Sequence, residues 1–287
     1  MPVSFSKKLR GRAERLGYAA LERTVGVRQY IPGREPLVPS FLLVGAQRSG
    51  TTSLQKYLQQ HPAFVAPVRK EVHYFDRHYA RGLDWYLSHF PRQRDGAISG
   101  DATPYYLFHP LAAGRAGQQL PNAKIVVLLR DPAERARSHY QHEVAKGCED
   151  LSLEAALDAE PSRLAGELER LISDGTYQSY AHQHHSYVGR GRYLEQLLRW
   201  EAVYGREQVL VLTSEDLFAD PRSTLSTLLD FLGLEPFELG DAKVHNSYVK
   251  RPVSDAVYER LTRELHDDNL RLYAHLGRDL GWRSPGV

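Results

Sequence analysis

The stretch Phe41-Leu42-Leu43-Val44-Gly45-Ala46-Gln47-Arg48-Ser49-Gly50-Thr51-Thr52-Ser53-Leu54 joins an apolar run to a glycine turn, small hydroxyl residues and the start of a helical pattern. It reads as a strand, a tight loop and a helix N-terminus. Backbone N–H groups gather at such a junction, at the positive end of the helix dipole, and suit a phosphate or sulfate. Gly45 and Gly50 have P-loop spacing, but Thr51 stands where the nucleotide-binding lysine belongs. The stretch predicts an anion cradle and argues against an ordinary ATPase.

Outward from the loop, Leu54, Tyr57, Leu58 and His61 fall on one helical face, which Pro62 stops. Ala63-Phe64-Val65-Ala66 reads as a short buried strand closed by Pro67, and 68–76 is dense in titratable and aromatic residues. Residues 98–106 read as a strand end with a proline turn. Lys124-Ile125-Val126-Val127-Leu128-Leu129 is the clearest strand, uninterrupted and so central in a parallel sheet. It runs into Arg130-Asp131-Pro132, where Asp131 suits an N-cap, Pro132 the first helical position and Glu134 a capping box. That junction presents Arg130 at its mouth and Ser138 two turns along the helix.

Residues 148–190 read as strandless, with helices over Leu153–Leu157 and Arg163–Ile172, and the polar, aromatic segment 177–192 is expected to cover a site. An amphipathic helix from Tyr193, a last strand at Val209–Leu212, further helices, and a helix from Asp255 to about Leu280 follow. Alternating strands and helices predict an α/β fold, a three-layer, P-loop-like, doubly wound parallel sheet flanked by helices. Ligands then bind along the C-terminal edge of the strands.

The 287 residues, 42% hydrophobic and 25% charged, are ample for a core, and the net charge of +2 predicts no nucleic-acid partner. The single cysteine, Cys148, cannot form an internal disulfide, no run approaches a transmembrane span, and the basic N-terminus lacks the pattern of a signal peptide. A soluble cytoplasmic protein is expected. Residues 1–36 read as a helical extension ending in a Pro/Gly linker, and 37–287 as one domain. The extension carries Lys7, Lys8, Arg10, Arg12 and Arg15 beside a thin apolar stripe; a packed helix is expected, with weak membrane-surface contact as the alternative.

Four motifs in order resemble those of the sulfotransferases that use 3′-phosphoadenosine 5′-phosphosulfate (PAPS). They are Gln47-Arg48-Ser49-Gly50-Thr51-Thr52, Lys70-Glu71-Val72-His73-Tyr74-Phe75-Asp76, Leu128 to Arg135 with Ser138, and Asn246 to Pro252. The carbohydrate branch, including heparan sulfate 3-O-sulfotransferases and N-deacetylase/N-sulfotransferases, is the nearest in pattern. The resemblance implies that Gln47 and residues 48–52 hold the 5′-phosphosulfate and that Arg130 and Ser138 hold the 3′-phosphate. It further implies that Lys250 and Arg251 close over the nucleotide, that Glu71 is the general base, and that Lys70, His73 and Asp76 shape the acceptor site. No metal is implied. Many relatives have lysine where Arg48 stands, and the heparan sulfate branch has lysine where Ala102 stands. A small-molecule or weakly charged glycan acceptor with a free hydroxyl is therefore the expected partner; oligomeric state is not legible.

Chemistry points the same way. Sulfuryl transfer to an alcohol needs a base for the hydroxyl proton and donors where charge develops on the leaving phosphate. Glu71 could be that base and Arg48 with the loop amides the donors, while His73 as base, or Glu71 merely paired with Lys70, stays open. A P-loop-type nucleotide kinase and a non-catalytic PAP- or nucleotide-binding protein are the alternative functions. His182, His184 and His185 resemble a metal cluster, but structural or acceptor-contact roles are expected of them, and packing or nucleotide-proximal roles of His139 and His142.

Overall fold

The computed structural model describes residues 35–243 and 254–286. Among these, four parallel strands form one sheet in the order β2-β1-β3-β4: β1 Phe41–Gly45, β2 Gly100–Ala102, β3 Lys124–Leu129 and β4 Val209–Thr213. β3 pairs with β1 on one side and β4 on the other, so the strand expected to be central is central. Its alternation divides the core. Ile125, Val127 and Leu129 join Leu42 and Val44 in one cluster, whereas Val126 and Leu128 join Phe41 and Leu43 in another. Both faces are thus buried, as near-continuous apolar strands require.

The helices are α1 Thr51–Leu58, α2 Leu83–Leu87, α3 Ala112–Gln119, α4 Pro132–Lys146, α5 Leu153–Leu164, α6 Glu167–Ser173, α7 Tyr180–His184, α8 Tyr193–Tyr204, α9 Ser214–Ala219, α10 Pro221–Leu232 and α11 Asp255–Leu276. From β1 the chain crosses out to β2 and returns past β1 to β3. The order therefore reverses between β1 and β3, where their outgoing loops make a crevice.

Local differences from the sequence reading have local causes. Ala63–Ala66 is not a strand: between Pro62 and Pro67 only Phe64 makes a single bridge, to Ile98. Gly166, at φ 75°, breaks the expected Arg163–Ile172 helix, so α5 runs on through Pro161 and α6 starts afresh. α11 stops at Leu276, four residues before the expected Leu280, because Gly277 turns left-handed as its C-cap. The capping box at α4 is half formed. Asp131 accepts from the amides of Ala133 (2.8 Å) and Glu134 (3.0 Å), but its own N–H goes to Glu215 at 3.0 Å rather than to Glu134. Glu35 and Pro36, read as linker, pair with Gln93 and Arg92. The rest of the N-terminal extension, with its basic residues, and Lys250 and Arg251 lie outside the described residues. No described helix is long and apolar enough to cross a membrane.

Candidate active site

The loop after β1 enters α1 through Gly50, which holds φ 94° as the N-cap and, having no side chain, supplies no cap to the first-turn amides. A Cβ on Gly50 would come within 2.9 Å of the Phe218 ring, so the position excludes a side chain on two counts. The loop borders a cleft of about 840 Å³ that opens along the strand ends. Seven Arg and Lys side chains face it against three glutamates, so a nearly neutral chain concentrates positive charge in one place.

The cleft gathers side chains from distant elements. From the loop come Gln47, Arg48, Gly50, Thr51 and Thr52; from the β3–α4 junction Arg130 and Ser138; and from the segment before Tyr74 come Lys70, Glu71 and His73. Arg48 Nε donates to Ser138 Oγ at 3.1 Å, and Arg130 donates one Nη to the Arg48 carbonyl at 3.1 Å and the other to Glu134 at 3.1 Å. The two strand-to-helix junctions are thereby cross-linked. Lys70 Nζ donates to Thr52 Oγ1 at 2.8 Å and contacts Glu71 at 3.4 Å, joining the loop to the carboxylate.

Not every expected residue faces the cleft. Ser49 is fully buried beneath the loop, its N–H donating to Ala46 O at 3.2 Å, so neither its hydroxyl nor its amide is presented to a ligand. Asp76 is buried behind His73, whose Nδ1 lies 2.6 Å from Asp76 Oδ2. It orients the imidazole and does not line the cleft. Tyr105 lines the cleft, whereas Tyr74, Phe75 and Tyr106 are core.

Among the described residues, three non-glycines have positive φ: Arg48 (72°), Glu71 (60°) and His73 (58°). All three face this cleft. Left-handed backbone costs a side-chain-bearing residue about 1–3 kcal/mol, and such strain persists where the surroundings enforce it. Here the enforcement is visible. Tyr106 Oη accepts from the amides of Tyr74 (2.8 Å) and Phe75 (3.4 Å), directly after His73, and donates to Asp101 Oδ2 at 2.8 Å. Asp101, on β2, also accepts from Thr103 (2.7 Å) and Tyr86 (3.3 Å), which fixes the strained turn to the sheet.

The carboxylates and imidazole form a charged row. His73 Nε2 makes an ion-pair contact with Glu71 at 3.6 Å, opposite its bond to Asp76. Burial alone would lower the His73 pKa, but the Asp76 carboxylate and then Glu71 raise it to about 9. For Glu71 burial pushes upward; His73 and then Lys70 outweigh it and hold the carboxyl at about 2. The Glu71 side chain is 43% exposed, yet that exposure is to the interior of the cleft, where its partners surround it. Near neutral pH Glu71 is ionised and His73 protonated.

Sequence reading missed Arg190. Its buried guanidinium donates to Gln47 Oε1 and to the carbonyls of His182 (3.1 Å) and Gln183 (2.6 Å), and lies over the Tyr105 ring. Burial lowers its pKa to about 10, so it stays charged. The turn bearing it is gripped by the Glu160 carboxylate, which accepts from the amides of Tyr187, Val188 and Gly189 at 2.8 Å each. The one available signal was the segment 177–192, expected to cover a site; Gln183, His184 and Arg190 do line it. The three histidines there diverge: His182 to Tyr105 Oη (2.7 Å), His184 to Glu143 (2.8 Å), His185 to the Cys148 carbonyl (3.0 Å). His142 lines the cleft, whereas His139 is fully buried.

Fold and site together make an α/β protein with a cleft rich in basic side chains at the sheet's switch point. The model of the family described as "Sulfotransferase domain" matches residues 39–257, and the chain belongs to that family. A crystal structure of a sulfotransferase from Alicyclobacillus acidocaldarius is 32% identical, with a TM-score of 0.69, over 85% of this chain and 97% of that one. The membrane-associated sulfotransferase kil1 of Dictyostelium discoideum is 27% identical over 88% of this chain and 68% of its own length. Human heparan sulfate glucosamine 3-O-sulfotransferase 3B1 is 28% identical over 85% of this chain. The match spans 65% of that human relative's length.

Proposed function

We propose that the cleft moves a sulfuryl group from PAPS to a hydroxyl of a small-molecule or carbohydrate acceptor, releasing PAP, with Glu71 as general base. The observation that carries this reading is the convergence of both anion-binding junctions and the strained Glu71–His73 turn on one cleft. The residues fit the donor. A cavity of about 840 Å³ is of the size that takes a nucleotide-sized ligand, and its charge suits a polyanion. Gln47, Arg48, Gly50, Thr51 and Thr52 would hold the 5′-phosphosulfate, and Arg130 with Ser138 the 3′-phosphate. When bound, the donor supplies an electrophilic sulfur and a phosphate leaving group.

Glu71 then takes the acceptor's hydroxyl proton as the oxygen bonds to sulfur. His73 is a poor candidate for that role, since it is protonated and both ring nitrogens face carboxylates. Its positive charge instead orients Glu71, with Asp76 behind it. Arg48 and the first-turn amides meet the charge that grows on the leaving oxygen, a contribution largest in a loose transition state. Such a state makes the hydroxyl acidic late, so a carboxylate of low basicity suffices. No metal is assigned to this reaction.

A P-loop kinase is not favoured, since Thr51 occupies the lysine position. A purely nucleotide-binding role is the second reading, but a carboxylate inside an anion site opposes binding and makes sense as a base. Incubation with ³⁵S-labelled PAPS and a panel of hydroxylated acceptors tests the proposal. Labelled acceptor should appear with equimolar PAP; PAP binding without transfer to any acceptor would favour the second reading.

Two further outcomes follow. Tyr106→Phe removes the hydroxyl that anchors the Tyr74 amide, and should lower kcat about tenfold or more while donor KM changes little, as steady-state kinetics would measure. The pH dependence has a defined sign. His73 has its pKa raised, so its contribution to stability is complete below pH 6.5 and lost as pH rises through about 9. Glu71 has its pKa lowered, so its contribution is present above pH 4.5 and lost as pH falls through about 2. Urea midpoints of wild type and His73→Asn should therefore converge between pH 6.5 and 9. Asparagine tolerates the left-handed backbone there.

A further inference from the structure

We infer that Glu143, Cys148 and His184 form a site for a divalent metal of zinc-like character, separate from the sulfuryl chemistry. One ligand atom from each, a carboxylate oxygen, a thiol sulfur and an imidazole nitrogen, all lie within 4.8 Å of one another. They come from three backbone stretches: the last turn of α4, the residue after its Gly147 cap, and the last residue of α7.

The frame is rigid. The Cys148 amide donates to the Glu143 carbonyl at 2.9 Å, and the Cys148 carbonyl accepts from His185 Nε2 at 3.0 Å, so the thiol's backbone is held from both sides. Glu143 is buried, with His184 Nδ1 2.8 Å from one oxygen. On its other side is His139 Nε2, 3.5 Å from Oε1. The His139 ring is fully buried and, among the described residues, neither of its nitrogens has a hydrogen-bond partner. It stands where an outer-shell group would steady a ligating carboxylate.

Donor chemistry selects the ion. Thiolate and imidazole with one carboxylate match zinc or cobalt, whereas magnesium and calcium prefer oxygen alone. Three protein ligands leave a fourth position for water. A bound ion would take the place of the thiol proton of Cys148 and of the hydrogen bond between His184 and Glu143. Because α4 carries Ser138 and α7 carries Gln183, the bound ion would pin together two walls of the cleft. A histidine–carboxylate pair that merely stabilises the helix contact needs no sulfur beside it. None of this rests on the sulfotransferase reading.

The full-length chain, stripped with chelator, should take up one equivalent of Co²⁺ and show a thiolate-to-cobalt charge-transfer band that Zn²⁺ abolishes by displacement. Cys148→Ser should lose the band and bind at least about 100-fold more weakly, since even outer-shell changes cost 10–100-fold. If that variant does not fold, zinc protection of Cys148 from alkylation in the wild type supplies the same answer. A cobalt complex without a thiolate band, affinity unchanged in Cys148→Ser, or alkylation equally fast with and without zinc would each overturn the site.

Discussion

Glu71→Gln should lower the rate of sulfuryl transfer by about 10²- to 10⁴-fold, the range a general base supplies, while leaving PAP affinity within a few-fold of wild type. Glutamine keeps the length of the side chain, the left-handed backbone demand and an oxygen for Lys70, and removes the negative charge and with it the proton acceptor. A purely structural Glu71 would behave otherwise. It would shift the melting temperature and nucleotide affinity together, because Lys70 links it to Thr52 in the phosphate loop. Single-turnover rates with saturating donor, alongside PAP titrations, separate the two. Unchanged transfer in Glu71→Gln would reassign the base.

Arg130→Ala should weaken PAP binding by about 100-fold or more, with little effect on a 5′-phosphosulfate that lacks the 3′-phosphate. Charge-assisted contacts to phosphate are roughly twice as strong as neutral ones, and 1.4 kcal/mol is tenfold in affinity. Arg130 also holds the Arg48 carbonyl at 3.1 Å, so part of any loss would come from a loosened loop. Ser138→Ala separates these effects, because it leaves Arg130 and the loop carbonyl in place and removes one hydroxyl that Arg48 holds at 3.1 Å. Titration calorimetry with both nucleotides reads the difference. Equal loss for both would mean that Arg130 shapes the loop without reading the 3′-phosphate.

The parts legible in the sequence were those written in contiguous residues. Five apolar positions, Ile125 to Leu129, followed by Asp131-Pro132, specify a buried strand and a capped helix by local chemistry. The glycine loop likewise fixes its own turn. What stayed hidden depends on residues brought together by the fold. Arg190 enters the cleft because Glu160 grips the amides of its turn, and no spacing in the chain announces that pairing. Glu215 takes the amide that a capping box would have reserved for Glu134. The left-handed turn at Glu71 and His73 is enforced from β2 through Asp101 and Tyr106, a constraint absent from local propensity. His182, His184 and His185 look like a cluster on paper, but steps of 100° around a helix send 182 and 184 to opposite sides. An overall charge of +2 gave no hint of a cleft with seven basic side chains.

A cleft built for PAPS must recognise the 3′-phosphate and need no metal to bind nucleotide. The most direct test is a titration of the full-length protein, in chelator, with PAP, with adenosine 5′-phosphosulfate, and separately with ATP in the presence of Mg²⁺. PAP should bind tightly without metal, the compound lacking the 3′-phosphate about 100-fold more weakly, and ATP more weakly than PAP. Binding of Mg-ATP in preference to PAP, or indifference to the 3′-phosphate, would contradict a PAPS site.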